Sequence, residues 1–481
     1  MITLAQRAFG GAGATLAWQA VRLALLLISI VALARLLAPT DFGLIAMVMS
    51  VIGLGDLIRD FGLSVASLQS KTLTQPEKSN LFWVNTAIGA CLTAIVFVAS
   101  WPIAALYDDN RLIAITQALS LTFLISGIST QFKAQINRDL RFVALGIVEA
   151  IPQAIGLAVA IAIALATRSY WSLVTQALIA PLLEAVLCVT LARWRPGRYR
   201  RDVSVGRFVR FAGALVGTQG LAYVSKNIDS VLLGVFRGAG ELGIYNRAYQ
   251  IVILPLTQVT APLSRVAIPV LSRLQDDALV YMKYLHTAQF ATVTATSIFY
   301  GAVVGFGEPL VYLVLGSQWS GAVPILQILA MTGIFRSLGQ VPYWIFVTLG
   351  RTHAQLISYA VGQPLIVASI VFGVHWGGVG VATGSAVGYS IFWAGSMWWV
   401  GRVTGLPVLR LVASGVSIVI TFFVPVAVIG AVVVSTFGNS HVALGAGGVV
   451  AVLSVISALF GIRQYRDEIV RFARLARTRR R

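Results

Sequence analysis

The stretch from Leu221 to Gly243, LAYVSKNIDSVLLGVFRGAGELG, carries Lys226 and Asp229 inside an otherwise apolar run. On a helix, positions i and i+3 put the two charges one turn apart on one face. Each would cost about 2.5–3.5 kcal/mol at the middle of a bilayer span. Two chemistries explain charges in such a place: a structural ion pair, or a site that meets a charged ligand or a coupling ion. Arg22, Arg59, Arg247 and Arg336 lie in equally apolar stretches, as do the carboxylates of Asp56, Asp60 and Glu149. Asp56 is i, i+3 to Arg59 and i, i+4 to Asp60, so these three share a helix face that lipid cannot cover; it is either a neutralised packing cluster or a cavity wall. Glu149 and Arg336 each stand alone among apolar residues. An arginine in that position cannot discard its proton and must find a partner.

The elements that position these charges follow from composition. Of 481 residues, 58% are hydrophobic and only 11% charged, where a soluble domain has about 25%. Runs of about 20 apolar residues read as membrane spans. We count fourteen, from 13–35 to 441–462, so the expected fold is an all-α polytopic membrane protein. Of the 36 Lys and Arg residues, 27 fall on one side of these spans, and Arg35, Arg111, Arg168 and Arg237 on the other. That asymmetry places both termini in the cytoplasm. It also assigns the net charge of +19 to membrane topology and anionic lipid, and not to nucleic acid. The first apolar run is too long for the core of a cleavable signal peptide. Cys91 and Cys188 have no CxxC or histidine companions, which argues against a disulfide framework or metal site.

The turn Asp41-Phe-Gly43-Leu44 returns two hundred residues later as Glu241-Leu-Gly243-Ile244, and Pro152 and Pro364 sit at similar depths in spans five and eleven. We read two parallel six-span lobes, 1–200 and 201–408, with two further spans in 409–462 and a basic amphipathic cytoplasmic tail, 463–481. The tail puts Tyr465, Ile469, Phe472 and Leu475 on one face. The link between the lobes, RWRPGRYRR from Arg193, reads as flexible, basic and laid against anionic headgroups. Leu271 to Leu285 reads as a short amphipathic helix at the same surface. All outward loops are short: YDDNR, TRSY, HWGG and FGNS are turns. A membrane glycosyltransferase or polymerase would need large outer loops, so that class is disfavoured. Walker, HExxH and GxSxG motifs are absent, and no enzymatic activity is expected.

Taken together, Asp41-Phe-Gly43, Phe61-Gly-Leu-Ser64, Phe82-Trp83-Val-Asn85, Arg138-Asp-Leu-Arg-Phe142, Trp171-Ser-Leu-Val174, Asp229-Ser-Val-Leu-Leu-Gly234 and Gly316-Ser-Gln-Trp319 form an ordered set over about 350 residues. In this order and spacing the chain resembles the polysaccharide transporter branch of the multidrug/oligosaccharidyl-lipid/polysaccharide (MOP) exporter superfamily, and within it Wzx-type flippases near colanic acid and teichuronic acid exporters. The resemblance implies two six-helix lobes around a cavity that opens alternately to each side of the bacterial cytoplasmic membrane. It implies an undecaprenyl-diphosphate-linked oligosaccharide as cargo, moved from inner to outer leaflet for surface polysaccharide synthesis. The polymerase and glycosyltransferases of that pathway would be partners. Arg22, Arg59, Lys226, Arg247 and Arg336 are then the cations expected to meet the diphosphate. Related exporters need no cofactor but draw on a proton or sodium gradient; Asp229, Glu149, Asp56 and Asp60 are the carboxylates available for coupling or ion pairing. A peptidoglycan-precursor flippase, or a drug/cation antiporter of the same superfamily, is the alternative reading.

Overall fold

A computed structural model describes residues 4–61, 74–202, 206–438, 441–461 and 465–466, with the side chains of 4–16, 56–61, 206–222, 224–226, 441–444, 446 and 461 outside the description. Every described element is a helix. The chain divides into two compact units, Met1–Gly243 and Ile244–Arg481.

The first unit begins with α1 (Leu4–Leu36), α2 (Pro39–Phe61), α3 (Gln75–Tyr107) and α4 (Arg111–Arg138). It continues with α5 (Phe142–Thr167), α6 (Trp171–Leu191) and the first part of α7 (Gly206–Pro255). Gly238 breaks α7 at φ 79°, a left-handed conformation that a residue without Cβ adopts at no steric cost. Within this unit α1 packs on α5, α3 on α4, and α6 on both α4 and α5. The second unit holds α8 (Ala261–Arg273), α9 (Ala278–Gly305), α10 (Gly307–Val314), α11 (Ala322–Leu338) and α12 (Gln340–Thr348). It ends with α13 (Thr352–Gly373), α14 (Gly377–Thr404), α15 (Val408–Phe437) and α16 (His441–Gly461). Here α14 packs on α13 and α11, and α15 on α9.

Among the described residues nine helical segments are long and apolar enough to cross a bilayer, or ten if α9 and α10, bent by 81°, form one span. The expected fourteen is therefore not reproduced as a count. One of the nine, Thr352–Thr404, is 53 residues long; it contains α13 and α14, which pack side by side. Pro39–Gly55 and Gly447–Phe460 are shorter apolar helices. The chain is a multi-pass membrane protein.

Two expectations, the helix over Leu271–Leu285 and the flexible link from Arg193, need correction. Leu271–Leu285 is not one helix: α8 ends at Arg273, and the Asp277 carboxylate caps α9 by accepting from the Leu279 and Val280 amides, both at 3.1 Å. An aspartate at this position starts a helix instead of continuing one. Tyr465, the one described member of the tail's apolar face, is 3% exposed, stacked on Phe290 at 5.4 Å, with its hydroxyl 3.0 Å from Ser417 Oγ. The rest of the tail's apolar face, Ile469, Phe472 and Leu475, lies outside the described residues. The link from Arg193 is not loose. Side chains of the first turns of α3 hold its backbone, because Ser79 and Asn80 are buried and the linker supplies their hydrogen-bond partners.

Candidate functional site

In the first unit, packing sets up a charge chain. Gly146 on α5 lies so close to Trp18 on α1 that a Cβ there would come within 2.0 Å of the indole. This notch seats the tryptophan and fixes the register of the two helices. Arg22 follows Trp18 by four residues and Glu149 follows Gly146 by three, so the next turn brings them together. Arg22 Nη1 donates to Glu149 Oε2 at 2.8 Å. The other Glu149 oxygen is 3.1 Å from Lys133 Nζ on α4, and Lys133 also reaches Glu184 Oε1 on α6 at 2.8 Å. Four helices thus contribute alternating charges that sum to zero. Neutralising one member leaves a net charge in the chain, which is costly to the degree that the chain is withdrawn from water.

The end of this chain forms part of a cavity of about 330 Å³ among α2, α4 and α6. Lys133 and Glu184 are its charged wall, and α4 adds the hydroxyls of Thr122, Ser126, Ser129 and Thr130 at helical spacing. The volume fits roughly ten water molecules at about 30 Å³ each, or a small polar fragment of a larger ligand.

The second unit holds a differently built cation. Arg336 on α11 donates from Nη1 to Tyr249 Oη at 3.0 Å. Its guanidinium carbon lies 5.2 Å from the ring centroid of Tyr389 on α14 and 6.0 Å from that of Tyr249. Tyr245 stacks on Tyr249 at 6.2 Å. Gly333, one turn before Arg336, makes room for Tyr300: a Cβ there would meet its ring at 2.2 Å. Tyr300 donates its hydroxyl proton to the Val252 carbonyl at 2.8 Å, tying α9 to α7 beside the arginine. Among the described residues no carboxylate lies within ion-pairing distance of Arg336; its neighbours are neutral rings and a phenol. Aromatic faces stabilise a guanidinium without neutralising it, so its positive charge stays available to an anion. Arg247 is 7% exposed and donates to Gln250 Oε1 at 2.7 Å, while Gln250 donates to Asn246.

The structure thus brings Arg22 and Glu149 together, and within the second unit it sets Arg336 against Tyr249 and Tyr389 and Arg247 against Gln250. Glu149 is not isolated, as its sequence context suggested: helices α1 and α4 each present a cation to it. Arg336 is not isolated either, since two tyrosines surround it. Asp229 is 6% exposed and accepts from the Ser230 amide at 2.7 Å. The side chains of Lys226, Arg59, Asp56 and Asp60 lie outside the described residues, so the expected Lys226–Asp229 pair does too. Sequence reasoning missed the roles of Lys133 and of Glu184. A lone glutamate in the apolar run LLEAV was the signal for the second. Tyr389 had no signal beyond its aromatic type.

A family model described as "Polysaccharide biosynthesis protein" matches residues 32–324. The chain is 26% identical over 369 residues to the lipopolysaccharide biosynthesis protein WzxC of Escherichia coli (strain K12), covering 74% of this chain and 73% of that protein. It is 26% identical to the teichuronic acid biosynthesis protein TuaB of Bacillus subtilis (strain 168), over 59% of each chain. It is 24% identical to the succinoglycan biosynthesis transport protein ExoT of Rhizobium meliloti (strain 1021), over 79% of this chain and 77% of that one. Among solved structures, the lipid II flippase MurJ matches with a TM-score of 0.70 at 14% identity, covering 96% of this chain and 100% of that one. An inward-facing multidrug resistance MATE family transporter of the MOP superfamily matches with a TM-score of 0.60 at 15% identity, over 81% and 94%. These two likenesses establish the fold.

Proposed function

The chain belongs to the polysaccharide biosynthesis protein family, whose model spans residues 32–324, and from that membership we propose that it is a flippase for a lipid-linked oligosaccharide. The relatives carrying the sequence likeness are named for lipopolysaccharide, teichuronic acid and succinoglycan biosynthesis, so the cargo is a building block of a surface polysaccharide. Its carrier is a polyprenyl diphosphate, moved from the inner to the outer leaflet of the bacterial cytoplasmic membrane. Both termini face the cytoplasm, and two six-helix lobes, 1–200 and 201–408, expose the cargo site alternately to each side. The chain is a carrier and not an enzyme. The polymerase and glycosyltransferases of the same pathway are its functional partners.

One observation carries the cargo reading: Arg336, deep in an apolar helix, is held by tyrosines and by no described carboxylate. A diphosphate entering the membrane loses its hydration, and a guanidinium fork replaces it with charge-assisted hydrogen bonds. Arg22, Arg59, Lys226 and Arg247 are proposed as further cations of the path. Glu149 already occupies Arg22, so cargo must compete for that arginine, and release of Arg22 leaves Glu149 with Lys133 alone. Exchange of that partner is the step through which a proton or sodium gradient couples to transport, with Asp229, Asp56 and Asp60 as the other carboxylates involved.

Deleting the gene in its native host tests the reading. The expected result is accumulation of a diphosphate-linked oligosaccharide on the cytoplasmic face, relieved by the wild-type chain. Normal surface polysaccharide and no accumulation would refute it.

A further inference from the structure

The segment between α6 and α7 carries Arg193, Arg195, Arg198, Arg200 and Arg201, all exposed, with Asp202 as its one described acid. A run of like charges normally repels itself into a solvated coil. Here the backbone is fastened to the start of α3 by side chains more than a hundred residues away in sequence. Trp194 Nε1 donates to Gln75 Oε1 at 2.7 Å, and Gln75 Nε2 donates to the Arg195 carbonyl at 3.1 Å. The Gly197 amide donates to Ser79 Oγ at 2.9 Å, and Trp83 Nε1 donates to the Gly197 carbonyl at 2.9 Å. The Asn80 carboxamide takes both backbone groups of Arg200, accepting from its amide at 2.8 Å and donating to its carbonyl at 2.7 Å.

The arrangement is a strap, built by neutral side chains that spend their polar groups on its backbone and leave the guanidinium groups outward. Trp194 anchors its near end against Phe82 and Phe132, at 6.3 and 5.2 Å between rings. Trp83 is 45% and Tyr199 50% exposed beside it. Exposed tryptophan and tyrosine at the end of a membrane-crossing helix mark the depth of lipid headgroups. At that depth, fixed arginines meet phosphate.

We propose that the strap is a preformed docking surface for anionic phospholipid headgroups, read by Arg195, Arg198 and Arg201, with its geometry set by Asn80 and its neighbours on α3. The occupant is bulk anionic lipid, because the surface is open, carries net positive charge and is flanked by interfacial aromatics. It is distinct from the cargo site proposed above and does not depend on it. Ordering the strap beforehand removes the entropy loss that a flexible basic linker would suffer on binding.

The test titrates the purified full-length protein in detergent with phosphatidylglycerol and counts retained lipid by native mass spectrometry, with phosphatidylcholine as the neutral comparison. The triple variant Arg195→Gln/Arg198→Gln/Arg201→Gln should bind phosphatidylglycerol at least about tenfold more weakly, with phosphatidylcholine unchanged. The charge-matched triple Arg351→Gln/Arg402→Gln/Arg410→Gln, at exposed arginines elsewhere, should bind as the wild type does. Asn80→Ala keeps every arginine and should still weaken binding several-fold; Trp83→Phe, which loses the indole N–H together with the second ring, should do so to a smaller degree if Asn80→Ala does not fold. Equal losses in the two triples would reduce the effect to net charge and overturn the proposal. Wild-type binding by folded strap variants that retain all arginines would overturn it as well.

Discussion

Gly43 and Gly243 stand back to back: a Cβ on Gly243 would lie 1.9 Å from the Pro39 carbonyl oxygen and 3.0 Å from the Gly43 amide nitrogen. A Cβ on Gly43 would in turn lie 1.7 Å from the Ala239 carbonyl oxygen. Pro39 and Ala239, like Gly43 and Gly243, are two hundred positions apart, the offset of the repeat read from the sequence. Each turn therefore makes against the other the contact that the other makes against it. This is the reciprocal pattern a two-fold relation produces, here within one chain. The opposing atoms are backbone and cannot swing aside.

Substituting either glycine by alanine should destabilise the protein by about 1–3 kcal/mol. Thermal melting of the detergent-purified protein reads this. The double variant should lose less than the sum, because the first substitution already separates the turns. Additive losses would mean that the two contacts are independent.

The charge chain gives a second expectation. Lys133→Ala leaves Glu149 and Glu184 facing each other and should cost about 1–3 kcal/mol, below the figure for a fully buried pair because Lys133 is partly exposed. Glu184→Gln should cost less, since Lys133 keeps Glu149. A double-mutant cycle on Arg22→Gln and Glu149→Gln should return a coupling of about 0.5–1 kcal/mol. A coupling of zero would remove Glu149 as the holder of Arg22.

Arg336→Lys keeps the charge but loses the planar group that lies over Tyr389 and reaches Tyr249. Transport should fall about tenfold or more, with protein level unchanged. Tyr249→Phe removes the hydrogen bond alone and should fall less. Full activity of Arg336→Lys would show that charge suffices there.

One acid-sensitive contact lies in the short turn between α3 and α4. Arg111 grips Asp109 through Nε and Nη2 at 3.0 and 2.7 Å, and these hydrogen bonds hold the Asp109 carboxyl below its ordinary value. The folded value is thus lower than the unfolded one. Its contribution to stability is present above the ordinary aspartate value of about 3.9 and fades as pH falls through the folded value. Melting temperature followed through this acid range should drop less steeply in Asp109→Asn than in the wild type; identical profiles would contradict the assignment.

The membrane class was legible because hydropathy reports directly on lipid, and the matching turns at Gly43 and Gly243 because they share a sequence pattern. Arg22, Glu149 and Arg336 were legible as expensive charges. Their partners were not. Which helix presents Lys133 to Glu149, or Tyr389 to Arg336, depends on register between segments far apart in sequence, and periodicity along one helix carries no such information. The linker from Arg193 was misread for a related reason: its own composition indicates a solvated coil, and the residues that fasten it, Gln75, Ser79, Asn80 and Trp83, belong to a span a hundred residues earlier.

The most direct test of the transport account is leaflet exchange in sealed vesicles. The purified chain is reconstituted into proteoliposomes with a fluorescent polyprenyl-diphosphate oligosaccharide, and the fraction reached by a membrane-impermeant quencher is followed with time. Wild-type protein should move label between leaflets far faster than protein-free vesicles, and Arg336→Gln, folded and inserted to the same level, should approach the protein-free rate. Exchange by the wild type no faster than in empty vesicles would contradict the account.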